Sequence, residues 1–226
     1  MDFNFGELNE PFSRAFFEEY EDFSVNTEFK RPTWDFVNED YKKKVSNSTN
    51  FLLVEGNNAH SIMENSLLKG ANLIAQMKKH NIKVYHNDQF FIGIIEDNKT
   101  DNFAASIAKL LSPWFESAKM CIILSLQSTA EYKNDNAFQN CVIRSVGNNG
   151  QNIPTLEVPN FLTGCAAGIC TLRKFNELQC SCFIAYIDLH DVISLNSIMS
   201  LLKTFNISVT GNITLPTNIH KNQFYL

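Results

Sequence analysis

Residues 163 to 188 read TGCAAGICTLRKFNELQCSCFIAYID, and their interpretation decides the fold. The first half sets the small residues Gly164, Ala166, Ala167 and Gly168 beside Ile169 and Leu172, which predicts a helix that can pack closely on a sheet. The second half contains CFIAYID (182–188), an unbroken apolar run of the kind that forms a buried strand. LNSIMSLLKTF (195–205) then supplies a further helix. Strand and helix alternate here, which is the signature of an α/β layer structure.

The same alternation appears upstream. FLLVEG (51–56) is a short apolar run closed by glycine and predicts a buried strand entering a turn. HSIMENSLLKGANLIAQMKKH (60–80) places Ile62, Leu67, Leu68, Ile74 and Met77 at roughly helical spacing, with Gly70 as a break, so a helix is expected. KVYHNDQFFIGIIED (83–97) reads as a hairpin around His86-Asn87-Asp88. DNFAASIAKLLSPWF (101–115) resumes helical spacing through Phe103, Ile107, Leu110 and Leu111 until Pro113, which is expected to interrupt it. MCIILSLQ (120–127) predicts a second buried strand and CVIRSVG (141–147) another. The expected architecture is an α/β three-layer sandwich, a central sheet flanked by helices.

Around this body lie two different ends. Residues 1–48 mix acids with Phe16, Phe17, Tyr20, Phe23, Trp34 and Phe36 and close on the polar KKKVSNSTN. This segment is expected to be weakly ordered alone, or to drape over the domain or a partner. Residues 49–207 form the α/β domain. Residues 208–226 lack a sustained period, are broken by Gly211 and Pro216, and end in Phe224-Tyr225-Leu226. Free ends are usually polar, so an apolar anchor, a tyrosine and a terminal carboxylate together suggest a handle for a preformed pocket.

At 226 residues, with 44% hydrophobic and 19% charged content, the chain suits one ordinary globular domain with tails. A net charge of -5, with Lys42-Lys43-Lys44 the sole basic run, argues against a nucleic-acid surface. MDFNFGELNEPF has neither the basic nor the apolar region of a signal peptide, and no apolar run approaches the ~18 residues of a membrane span. A cytoplasmic protein is expected, with the nucleus as a second compartment, and its six cysteines are expected to be reduced.

Three groups could carry chemistry. Gly56-Asn57-Asn58-Ala59-His60 lies where a strand meets a helix, a place where phosphates bind, but it lacks the further glycines of a dinucleotide fingerprint and the Lys-Ser/Thr of a P-loop. Asp188, His190 and Asp191 follow a strand and could move protons, although capping of the next helix is the commoner role. Cys180-x-Cys182 and Cys165-x4-Cys170 match no zinc spacing, and His60, His80, His86, His190 and His220 form no ligand pair. Neither a metal nor a cofactor is expected, and core packing is the better account of the cysteines.

FGE near the start, VEGNNA (54–59), TAEYKN (129–134) and above all the block from Leu156 to Thr204, with its LE-x-PN entry and small-residue helix, resemble the proteasome assembly chaperone 1 family. The resemblance implies a fold similar to nucleoside-phosphorylase-like sandwiches without catalysis. It also implies a heterodimer with proteasome assembly chaperone 2 that promotes assembly of the 20S α ring. Family members end in a hydrophobic-Tyr-X motif, which Phe224, Tyr225 and Leu226 match in type and position. By the resemblance this tail enters a pocket between α subunits, its carboxylate meeting a lysine. The segment after Phe205 is short and lacks the Lys- and Leu-rich helix expected of vertebrate relatives. Two alternatives stay open: a nucleosidase-like enzyme using His60 with Asp188 or Asp191, and a generic adaptor that binds through its aromatic N-terminal segment.

Overall fold

The computed structural model describes residues 32–37, 50–87, 89–96, 103–134, 140–147, 152–188 and 191–209. The unbroken apolar runs become the centre of the sheet because both faces of each strand are covered. These are β2 (Asn50–Glu55), β5 (Phe91–Ile95), β6 (Met120–Ser128) and β8 (Ser181–Ile187), which pair in parallel in the order β5-β2-β6-β8. Antiparallel strands extend both sides. β4 (Ile82–His86) hairpins onto β5, β3 (Asn72–Met77) joins β4, β1 (Asp35–Phe36) joins β3, and β7 (Cys141–Ser145) flanks β8. Among the described residues this makes one mixed eight-stranded sheet.

Side chains alternate along each strand, so two helical layers share the sheet. Phe51, Leu53, Cys121, Ile123 and Cys182 face α2 (Ala104–Phe115) and α3 (Gly164–Phe175). Leu52, Val54, Ile122, Leu124 and Phe183 face α1 (Ala59–Glu64) and α4 (Val192–Thr204). The result is the three-layer α/β sandwich that the alternation implied.

The small residues of α3 serve two contacts. Cys165, Ala166 and Ile169 are buried in the layer on the sheet. Gly168 instead meets α2, where a Cβ would lie 3.1 Å from that of Ala108. Arg173 ties the far ends of the same two helices together. The residue is 1% exposed, and its guanidinium donates to the carbonyls of Phe115, Glu116, Ala118 and Gln179.

Two expectations need correction. The helix expected over 60–80 ends at Glu64, and Ile74 and Met77 lie on β3. Gly70 at φ +83° turns the chain, and pairing of β3 with β4 then takes the apolar residues that looked helical. Pro113 does not stop α2, which runs on to Phe115. It removes one intrahelical hydrogen bond near the helix end, and burial of Trp114 and Phe115 beyond it offsets that loss.

Part of the aromatic N-terminal segment packs on α2. Trp34 stacks edge-on against Trp114 with centroids 4.9 Å apart and donates its indole N–H to the Leu110 carbonyl at 3.0 Å. Phe36 packs on the same ring.

Candidate functional site

β2 leads through α1, β3 and β4 to β5 on one side, whereas α2 carries the chain back across to β6 on the other. Ligands of open α/β sheets enter the crevice at such a parting, beyond the carboxyl ends of the strands. In this chain its own atoms fill that place. Gly56, at φ +147°, closes β2 so near to β6 that a Cβ would stand 2.4 Å from the Leu126 carbonyl oxygen. Glu55 projects to the α2–α3 face, where its carboxylate accepts hydrogen bonds from the backbone N–H groups of Cys165 at 2.9 Å and Ala166 at 2.6 Å. It occupies the N-terminal end of α3, whose free N–H groups and dipole would otherwise attract a bound anion.

A polar network joins three separate segments at the same end of the sheet. Arg144 on β7 donates through Nε to Glu157 at 2.8 Å and through Nη2 to the Tyr132 hydroxyl at 2.7 Å, while Tyr132 donates to Glu157. Asn134 donates to both Tyr132 and Glu157. The Lys133 N–H donates to Asn160 Oδ1 at 2.8 Å, and Asn160 Nδ2 returns a bond to the Lys133 carbonyl at 3.0 Å. Partial burial alone would raise the Glu157 carboxyl, but hydrogen bonds from Arg144 and Tyr132, and then from Asn134, bring it from 4.5 down to about 2. So low a value makes it a weak base near neutral pH. The network's work is to pin the loop 156–163 against the turn 129–134.

That loop borders an open cleft of about 230 Å³, lined by Gln127, Glu131, Lys133, Asn160, Phe161 and Tyr186 among others. On the loop, Phe161 is 62% exposed and Val158 92% exposed, and the Lys133 ammonium lies 5.8 Å from the Phe161 ring centroid. The anchored loop thus holds apolar side chains out to solvent.

The sequence-level candidates are dispersed. His60 bonds through Nε2 to the Tyr85 hydroxyl at 2.7 Å, and burial, with help from the Lys83 ammonium, pushes its imidazole below the ordinary value. Asp191 caps α4, accepting from the N–H groups of Ile193 and Ser194. The strands that lead to these two residues, β2 and β8, are separated by β6. His190 and the tripeptide Phe224, Tyr225 and Leu226 lie outside the described residues. Among the described residues no group of three or more His, Cys, Asp or Glu is arranged to hold a metal ion, and no helix is long and apolar enough to cross a membrane.

Sequence reasoning passed over Glu55, Tyr132, Arg144 and Glu157 as site residues. A signal was present for three of them, since VEGNNA contains Glu55, TAEYKN contains Tyr132 and LE-x-PN contains Glu157. Three short motifs that are remote in sequence converge at one end of the sheet.

No protein-family model matches the sequence, and no curated protein matches it either. Solved structures do. A Thermoplasma acidophilum protein of unknown function superposes with a TM-score of 0.56 at 13% identity, over 80% of this chain and 84% of the other. Pyrococcus furiosus PbaA, an archaeal homolog of proteasome-assembly chaperone, gives 0.54 at 13% identity over 79% and 84%. Pyrococcus furiosus PbaB, an archaeal proteasome activator, gives 0.51 at 10% identity over 80% and 92%. The likeness is one of fold.

Proposed function

We propose that this chain is a proteasome assembly chaperone without catalytic activity. It pairs with a second assembly chaperone and holds α subunits of the forming 20S ring, inserting Phe224, Tyr225 and Leu226 between neighbouring subunits. The observation that carries the reading is the fold shared with PbaA in a chain that also ends in a hydrophobic-Tyr-X tripeptide. The self-filled crevice supports it, because Glu55 takes the α3 N-terminus that a phosphate-using enzyme keeps for substrate.

A shielded contact between the terminal carboxylate and a lysine contributes about 1.5 to 3 kcal/mol, so one tail is a weak ligand. The folded body and the partner chaperone raise its effective concentration. Cytoplasm and nucleus, where proteasomes assemble, are the compartments this role requires.

Deletion of Phe224 to Leu226, or extension beyond Leu226, is expected to weaken capture of α subunits in a pull-down while the heterodimer persists. Undiminished capture by the truncated protein sinks the tail's role. Retention of the second chaperone but of no α subunit by the intact protein sinks the whole reading.

A further inference from the structure

β6 and β8 approach their carboxyl ends with Gln127 opposite Tyr186. Alternation from Cys182 places Tyr186 on the α2–α3 face, but it belongs to a small separate core with Tyr132, Val142 and Ile184. The loop residues Leu156 and Leu162, rather than a helix, roof that core. Between these two inward anchors the loop turns Val158, Pro159 and Phe161 out to solvent. Its hydrogen bonds to Tyr132, Arg144 and Lys133 hold it in that pose. The ordering cost of presenting an apolar surface is therefore already met in the free chain.

Tyr186 faces the cleft beneath the loop. The residue is 1% exposed, its ring lies against that of Tyr132 with centroids 4.8 Å apart, and its hydroxyl has no hydrogen-bond partner among the described residues. Burial, and then the Glu157 and Glu131 carboxylates, push the phenol up to about 12, so it keeps its proton and remains a donor. A donor so nearly out of water's reach is poorly satisfied until an acceptor enters the cleft.

Size, charge and position narrow the occupant. At about 230 Å³ the cleft falls below the roughly 300 to 1,000 Å³ of sites that enclose a whole small molecule, and it suits one side chain of another protein. The Lys133 ammonium and the Glu131 carboxylate both line it, so a charged occupant is attracted by one and repelled by the other, and a neutral one is favoured. Exposed apolar side chains beside a receptive cleft are the makings of an interface core. The chain leaves α4 elsewhere: Phe205 packs on Phe183, near the amino end of β8 and on the α1–α4 face. A grip on α subunits through the tail thus starts from the other end of the sheet and leaves the cleft to a different partner.

We infer that the cleft and the loop from Val158 to Phe161 receive the second assembly chaperone. A neutral apolar side chain of that partner enters the cleft, a backbone carbonyl beside it accepts from the Tyr186 hydroxyl, and Phe161 packs into the partner in return. This surface presupposes the pairing proposed above.

The test mixes the full chain with the purified second chaperone over a dilution series and reads the dissociation constant by sedimentation velocity. Phe161→Asp should weaken the pair about tenfold or more. Tyr186→Phe removes only a hydroxyl unpartnered in the free chain, so its melting temperature should match the parent's while affinity falls about two- to tenfold. Phe175→Asp, at an exposed ring beyond the carboxyl end of α3, should leave affinity unchanged. Parent-like affinity in either of the first two variants overturns the inference, as does an equal loss in the third. So does a Phe161→Asp protein that keeps the chaperone but loses α subunits, or one that only loses self-association, since the cleft would then serve the ring or a second copy. An intact protein that captures α subunits but no second chaperone sinks this surface and leaves the tail's role standing. Unimpaired variants of a protein that does bind the chaperone sink the surface alone.

Discussion

Gly164 lies directly beneath the Glu55 carboxylate: a Cβ there would come within 2.5 Å of Oε1, and the residue's φ of +71° also favours glycine. Glu55 and α3 thus fit only because the first residue of the helix has no side chain. Glu55→Ala should remove the charged cap and cost about 1 to 2 kcal/mol in denaturant unfolding. Gly164→Ala should cost about 1 to 3 kcal/mol, through strain and displacement of the carboxylate. If the two share a mechanism, the glycine substitution costs less once Glu55 is already alanine. Strict additivity would disprove the coupling.

Gly56→Ala makes a different test. The new methyl would be driven to 2.4 Å from the Leu126 carbonyl oxygen and 2.8 Å from its Cβ, atoms on or next to the backbone of β6 rather than the end of a flexible side chain. A loss of about 2 to 4 kcal/mol is expected from combined strain and overpacking. A thermal midpoint matching the parent protein would mean that β2 and β6 are not so close here.

The Glu157 network makes stability depend on acidity. Its folded carboxyl lies at about 2 against an ordinary 4.5, so the unfolded chain binds the proton first and stability falls as pH drops from about 4.5 through about 2. Above that window the contribution is fully present. Arg144→Met should move the Glu157 carbon-13 carboxyl titration upward toward 4.5 and flatten the stability profile in the window. An unmoved midpoint would count against Arg144 as a principal cause.

Trp34 tests whether the N-terminal segment contributes to the fold. Its ring is half-buried on Trp114 and its N–H is bound to the Leu110 carbonyl. Trp34→Ala should lower unfolding free energy by about 2 kcal/mol, less than the loss of a fully enclosed ring. Stability equal to the parent's would reduce the segment to an appendage.

The central strands were legible because burial on both faces leaves an unbroken apolar run that no charge interrupts, as in Phe51–Val54 and Cys182–Ile187. Asp191 was legible as a cap because the chemistry is local: a carboxylate meets N–H groups two and three residues on. Residues 65–77 misled because Leu67, Leu68, Ile74 and Met77 fit a helix period as well as a turn followed by a strand. Pairing with β4 decides between them, and short-range spacing does not encode it. The site was hidden for a related reason. Glu55 and Cys165 are 110 residues apart, and a single glutamate carries no period to mark it. Only the parallel order of β2, β6 and β8 brings the motifs to one edge.

Arg173 stands in contrast to the rim. Its charge is met by the oxygen ends of peptide dipoles from four residues, so among the described residues its partners include no acid for protons to neutralise and no ion pair for salt to weaken. Acidification to about pH 2 would therefore loosen the 156–163 loop and leave the clasp between α2 and α3 shut, so that the two fastenings part company in strong acid.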